Sequence, residues 1–200
     1  AFAVAVLALI VLGGDLTLIT KTMREVVANF VKTELAQLPN APTITEAQID
    51  EMAQLSAQML PWALGVLATS IILGNLWLAG RITHASGLLS RPWPDLSALA
   101  LPAGATFALL GALLLGFLGG NATLFSGAAG GPFMLAFAIV GLAVAHALTR
   151  GSPWRSFLLA GLYATAVVFP AGALVLLAIA GLAETVFGYR RLSERGPPDS

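Results

Sequence analysis

The chain has 200 residues, of which 58% are hydrophobic and only 10% are charged, far fewer than the roughly 25% charged residues of ordinary soluble proteins. This composition indicates an integral membrane protein. Ten basic and ten acidic residues cancel, which argues against nucleic-acid binding, and the absence of cysteine excludes disulfides and thiolate metal sites.

The chain opens with an apolar run from Ala1 to about Thr20, which has the length of a membrane helix. No basic segment precedes this run, so a signal peptide is not indicated. We therefore expect the chain to begin inside a transmembrane helix, as an N-terminally truncated single membrane domain of residues 1–200.

Residues 21–58 are the only segment with the pattern of a soluble protein. Apolar residues recur three or four apart from Thr20 to Leu38, which predicts an amphipathic helix. After the interruption LPNAPT, a capping box formed by Thr43 and Glu46 predicts a second helix, ending at about Met59. This helical pair is either a lid on its own bundle, a docking surface for a partner protein, or a gate over a substrate cavity.

Three further apolar runs, each close to one bilayer in length, follow at about Pro61–Gly80, Ala98–Leu118 and Pro132–Thr149. The links at 81–97 and 150–155 each carry two arginines and at most one acid, so both are expected on the cytoplasmic side. The link at 119–131 is uncharged and the link at 21–58 is acidic, so both are expected outside.

The last apolar run, from Ser156 to Gly188, is longer than a single crossing needs. It is followed by Arg190, Arg191 and Arg195, which belong on the same side as Arg150 and therefore require an even number of crossings.

The segment FPAG at 169–172 predicts where that run breaks, because Pro170 removes a backbone donor and Gly172 permits turn dihedrals. Two short helices, about 153–169 and 171–188, would then form a tight hairpin, with Ser152 as the N-cap of the first. The alternative is one tilted helix kinked at Pro170.

Together these segments predict an all-α, polytopic transmembrane helix bundle of about six spans, including the short C-terminal hairpin, with one external amphipathic helical pair. The C-terminus is expected in the cytoplasm. The residues expected to anchor the bundle at the membrane interface are Arg150, Arg155, Arg190, Arg191, Trp77 and Trp154.

Three common enzyme motifs do not occur in the chain. HExxH, phosphate-loop and GxSxG patterns are missing from the sequence. We therefore predict that the protein is not an enzyme, with no catalytic residue, no metal ligand and no cofactor.

Four polar residues in the apolar runs are candidates for binding a substrate, because a polar group at membrane depth is costly unless it has a partner. They are His146, Asn75, Asp15 and Glu184. Simpler roles also fit: His146 could satisfy a backbone carbonyl, and Glu184 could pair with Arg190 or Arg191. A neutral His146 ring would need partners, and Asn75 and Glu184 are expected at a similar depth.

The stretches GPFMLAFAIVGLAVAHALTRG and GLAETVFGYRRL, with LPWALGVLATSIILGNLWLAGRI before them, resemble the YybS-like family of bacterial multi-pass membrane proteins. The resemblance covers the chain from about Leu60 onward, and Glu184 stands where we expect aspartate in the family. It implies the bacterial inner membrane, further helices before Ala1, and a distant likeness to the substrate-binding components of energy-coupling-factor transporters. It carries no catalytic residue to this chain.

Two functions of different classes follow. The first is a transport-related membrane component that binds a small, unidentified solute among its helices. The second is a non-transporting envelope scaffold or assembly protein that docks a partner protein through the 21–58 helical pair. A cleft lined by Asn75, His146 and Asp15 would favour the first function, and a solid bundle with an exposed apolar face on the pair would favour the second. The lipid bilayer is a partner in both.

Overall fold

The computed structural model describes residues 14–37, 43–89, 92–93 and 99–188. These residues form six α-helices and no β-strand, as the all-α prediction requires. The helices are α1 (Leu16–Thr33), α2 (Glu46–Ala85), α3 (Gly104–Gly116), α4 (Ala122–Leu148), α5 (Arg155–Val168) and α6 (Pro170–Phe187).

Three of these helices, α2, α4 and α6, are long and apolar enough to cross a membrane. Helices α3 and α5 are apolar but have only 13 and 14 residues, about 20 Å of helix against a hydrocarbon core of about 30 Å. The described residues therefore fit a helical membrane bundle, in which two of the predicted spans are shorter than a full crossing. Most of the predicted first span, residues 1–13, lies outside the described residues.

Helix α2 is one continuous helix of 40 residues, about 60 Å long. The predicted end at about Met59 is wrong, because the helix continues to Ala85. Pro61 lies inside it with a fully buried side chain. A proline removes one helix hydrogen bond and crowds the preceding turn, but packing by neighbouring helices makes this tolerable in a membrane bundle. The second helix of the external pair and the second predicted span are thus parts of the same helix.

The capping box of α2 lies two residues later than predicted. The backbone N–H of Gln48 donates to the hydroxyl of Thr45 at 3.3 Å, and the backbone N–H of Thr45 donates to the Gln48 side chain at 2.8 Å. The segment TITEAQ contains two overlapping capping patterns, one from Thr43 and one from Thr45. The sequence pattern alone does not distinguish them.

The described chain divides into two compact units. The first contains the residues up to Thr69 together with Gly111–Pro132, and the second contains Ser70–Leu110 together with the residues from Phe133 onward. Helices α2, α3 and α4 each contribute to both units.

The core of the first unit is formed by the buried residues Ile19, Ala57, Leu124 and Ala128, with Leu16, Met23, Leu60 and Leu64 packed against them. Helices α2 and α4 touch almost backbone to backbone beside this core. A Cβ atom on Gly131 would lie 2.6 Å from the carbonyl oxygen of Trp62 and 3.1 Å from the Cα of Gly65. The Trp62 ring also covers Gly130, so glycines make this close packing possible.

The core of the second unit contains the buried residues Ala105, Leu109, Phe137, Ala138 and Ala178. Here α4 and α6 cross at two glycines. A Cβ atom on Gly141 would overlap the carbonyl oxygen of Leu177, and one on Gly181 would overlap that of Phe137. Gly141 and Gly181 therefore allow the close contact between these two helices.

The predicted break between the last two helices is confirmed. Phe169 has non-helical dihedrals, φ −129° and ψ 66°, and Pro170 begins α6. The start of α5 differs from the prediction, because the Ser152 hydroxyl accepts a hydrogen bond from the Trp154 N–H at 3.2 Å. Ser152 therefore closes a turn before the helix, which begins two residues after Pro153.

Candidate functional site

An open groove lies between α1 and the first half of α2, within the first unit, and has a volume of about 500 Å³. We call it the α1–α2 groove, and its lining residues are Leu16, Thr17, Thr20, Lys21, Arg24, Asp50, Ala53, Gln54 and Gln58. Ligand sites in proteins generally measure about 300–1,000 Å³, so the groove has room for a small solute.

Arg24 joins the two helices across this groove. Its guanidinium pairs with Glu46 at 2.8 Å and also with Asp50, whose carboxylate accepts from Nε. The hydrogen bond and charge of Asp50 are the main causes that raise the pKa of Arg24 above its ordinary value. All three side chains are well exposed, so the pairs contribute orientation more than stability.

Lys21 provides a second cation in the groove. Among the described residues no carboxylate lies within ion-pair distance of its ammonium group. The side-chain amides of Gln54 and Gln58 add donors and acceptors, and the Thr20 hydroxyl donates to the carbonyl of Leu16 at 2.8 Å, which leaves its oxygen able to accept. These groups can bind a small solute that carries an anionic group and further polar groups.

Asp15 is the N-cap of α1. The predicted first span, which runs to about Thr20, is therefore not one continuous helix through Asp15. The preceding Gly14 has a left-handed φ of 59°. The backbone N–H and the hydroxyl of Thr17 donate to the two Asp15 carboxylate oxygens at 3.0 and 2.8 Å. The bond from the Thr17 hydroxyl, followed by the backbone bond, lowers the pKa of Asp15 below 3.8.

Asn121 supports the same helix end from a distant point in the chain. Its side-chain oxygen accepts a hydrogen bond at 3.0 Å from the backbone N–H of Leu16, the first residue of α1. This N–H is one of the groups that a helix start leaves unpaired. No signal in the sequence links residues so far apart.

His146 lies near the end of α4 and uses both ring nitrogens. Nδ1 is 2.9 Å from the carbonyl oxygen of Leu142, and Nε2 is 3.4 Å from the hydroxyl of Tyr163 on α5. A neutral ring protonated on Nδ1 donates to Leu142 and accepts from Tyr163. These two residues take the place of the predicted partners Asn75 and Glu184.

Tyr163 was not predicted as a partner of His146, although the sequence contains a signal for it. The hydroxyl of a tyrosine in an apolar helix needs a hydrogen-bond partner, and His146 is the nearest histidine along the chain. The rings meet edge to face with their centroids 6.1 Å apart.

Asn75 and Glu184 have contrasting surroundings in the second unit. Asn75 is exposed, in a stretch of α2 from Ile71 to Ala79 in which every residue is exposed. Glu184 is only 7% exposed, lies close to the end of α6 and has an interaction partner. Gly188, with a φ of 65°, caps the helix by donating its N–H to the carbonyl of Glu184 at 2.7 Å.

The predicted interface anchors fall into three groups. Trp77 and Trp154 are 54% and 67% exposed. Arg155 is the first residue of α5, and Arg150 has an interaction partner. Arg190 and Arg191 lie outside the described residues.

Comparisons with protein-family models, with curated proteins and with solved structures give no match to this chain.

Proposed function

We propose that this chain is a multi-pass protein of the bacterial inner membrane that binds a small polar solute as part of a transport system. The observation that carries the proposal is the α1–α2 groove, where Lys21 and the amides of Gln54 and Gln58 line one space, and where no carboxylate of the described residues pairs with Lys21. The resemblance to the YybS-like family and its distant likeness to solute-binding transport components support the same function.

The proposal includes six membrane crossings with a cytoplasmic C-terminus. The distribution of arginines supports it, together with the break at Phe169, which allows the last apolar run to cross twice. The short helices α3 and α5 would then cross where the bilayer thins or neighbouring residues extend toward the interface.

Mass spectrometry of small molecules that co-purify with the full-length protein tests the solute-binding function. Lys21→Gln removes the charge of Lys21 from the groove, and Lys32→Gln is the matched control because Lys32 lies on the same helix but does not line the groove. We expect the wild type and Lys32→Gln to retain a bound solute that Lys21→Gln loses. Equal retention by both variants would reject the groove as the binding site.

One observation favours the envelope scaffold as a second function. Met52, Leu55 and Met59 are 41%, 51% and 63% exposed and follow one another at helical spacing along α2. Flexible methionines suit a protein-docking surface. A photoreactive residue placed at Leu55 tests this second function by crosslinking in cells. Crosslinks to a single envelope protein would favour the scaffold over transport, provided that the purified protein holds no bound solute.

A further inference from the structure

Two tryptophan rings hold an arginine at the end of α2. The guanidinium carbon of Arg81 lies 5.9 Å from the ring centroid of Trp77 and 5.3 Å from that of Trp93. Both distances are within the about 6 Å at which a cation is attracted to an aromatic face. Trp77 and Arg81 are one helical turn apart, whereas Trp93 comes from beyond the end of the helix.

Trp93 is positioned by Gly80 and His84. A Cβ atom on Gly80 would lie 3.7 Å from the Trp93 ring, an ordinary van der Waals distance, so the indole lies against the helix at this residue. The imidazole of His84 meets Trp93 edge to face at a centroid distance of 5.5 Å. Trp77, Arg81, His84 and Trp93 therefore form one cluster, which we call the Arg81 cluster.

The Arg81 cluster presents donors to an anion. Rings that contact the guanidinium hold it in one orientation and leave its N–H groups able to bind two oxygens at once. Among the described residues, no carboxylate lies within ion-pair distance of Arg81. His84 is exposed and adds a further N–H donor.

The surroundings of this cluster are apolar on the side toward the middle of α2. Leu73, Leu76 and Leu78 are 38%, 67% and 52% exposed. A ligand with a charged head and a long apolar tail would cover these side chains, whereas a free inorganic anion would leave them uncovered. An exposed cation beside exposed apolar side chains matches the structure of a phospholipid.

We propose that the Arg81 cluster binds the phosphate of an anionic phospholipid headgroup, with the acyl chains along the exposed apolar side of α2. The basic links place this end of α2 on the cytoplasmic side, where anionic lipids attract Lys and Arg. The proposal does not depend on the α1–α2 groove, which belongs to the other unit.

The test measures the phosphatidylglycerol that stays bound to the full-length protein in nanodiscs of phosphatidylcholine and phosphatidylglycerol, by native mass spectrometry. Arg81→Gln should lower retention about tenfold or more, since a charge-assisted hydrogen-bonded site is lost. Arg155→Gln is the matched control, an arginine on the same predicted side with no ring contact among the described residues. It should lower retention by about fivefold at most, the effect of one surface charge.

Two further variants separate a defined site from general attraction. Arg81→Lys keeps the charge but loses the planar donors, so it should retain less lipid than the wild type. Trp93→Leu should also lower retention, because it removes one of the two rings that orient Arg81. Equal losses in Arg81→Gln and Arg155→Gln, or full retention in Arg81→Lys, would overturn the proposal.

Inorganic phosphate is the remaining probe. We expect millimolar phosphate to leave the bound phosphatidylglycerol in place, because it supplies no acyl chains for the apolar side of α2. Displacement of the lipid by phosphate alone would assign the cluster to a soluble phosphate ligand and contradict a lipid site.

Discussion

The hydroxyl of Tyr163 lies 3.4 Å from Nε2 of His146, and this contact links α5 to the end of α4. It gives the imidazole a second partner at a point where an unpaired polar group is costly. Because His146 already donates to the Leu142 carbonyl, the two bonds account for both ring nitrogens without any ligand.

We expect Tyr163→Phe to lower the free energy of unfolding by about 0.5 to 1.5 kcal/mol, the ordinary contribution of one hydrogen bond. Tyr163→Ala should cost more, because it also removes the edge-to-face ring contact. Thermal unfolding in detergent measures both. Equal losses for the two variants would mean that the hydroxyl carries the whole effect.

His146→Ala distinguishes a structural histidine from a functional one. The contacts to Leu142 and Tyr163 favour the structural role, so the variant should unfold at a lower temperature and retain its bound solute. Loss of the solute from a variant that still inserts and survives detergent extraction would instead give His146 a role in binding.

Gly141→Ala should destabilise the second unit by about 1 to 3 kcal/mol, because the added methyl group overlaps the Leu177 carbonyl oxygen and forces α4 and α6 apart. Gly161→Ala is the matched control, since a Cβ there meets no atom within 4 Å. Alanine is favoured over glycine in a helix by about 1 kcal/mol, so the control should be neutral or stabilising. Similar unfolding temperatures for the two variants would contradict the close crossing.

The lowered pKa of Asp15 predicts how the start of α1 responds to acid. A carboxyl group whose folded pKa lies below its ordinary value of 3.8 contributes stability above that pH. This contribution is lost as the pH falls through the folded pKa. The protection factors of the α1 amides, which are exchange rates corrected for the intrinsic effect of pH, should therefore fall in acid more in the wild type than in Asp15→Asn, which has no charge to lose.

Glu25→Gln is the control for this experiment, because among the described residues the Glu25 side chain has no hydrogen-bond partner. It should leave the acid response of α1 as in the wild type. An unchanged acid response in Asp15→Asn would show that the cap does not control this helix end.

Single introduced cysteines can test the six crossings without background labelling, because the chain contains no cysteine of its own. Cysteines placed at Ser152 and Ser193 should both resist a membrane-impermeant reagent added from outside. Labelling at Ser193 alone would show that the last apolar run crosses only once, as the alternative of a kinked helix requires.

Local breaks could be predicted from the sequence where one residue type dictates the backbone. Pro170 produced a break where it was expected, because it follows an apolar helix and begins the next one. Pro61 did not, because it is buried within a continuous helix, and the packing that makes this tolerable is not visible in a single sequence.

The sites were harder to predict, because they depend on residues far apart in the chain. The depth of His146 in an apolar helix indicates that its ring needs partners. It does not identify Tyr163, whose position depends on where α5 begins. Gln54 and Gln58 line the groove only because α1 packs beside α2. No short motif in the sequence encodes that arrangement.

Covalent filling of the α1–α2 groove tests solute binding most directly. Gln54→Cys adds a single thiol in the groove and Glu51→Cys adds one on the same helix outside it, and each is labelled with a bulky maleimide. Native mass spectrometry of the full-length protein should then show that the label at position 54 displaces the co-purified solute while the label at position 51 leaves it bound. Retention of the solute by both labelled proteins, or the absence of any solute from the unlabelled ones, would contradict the proposed function.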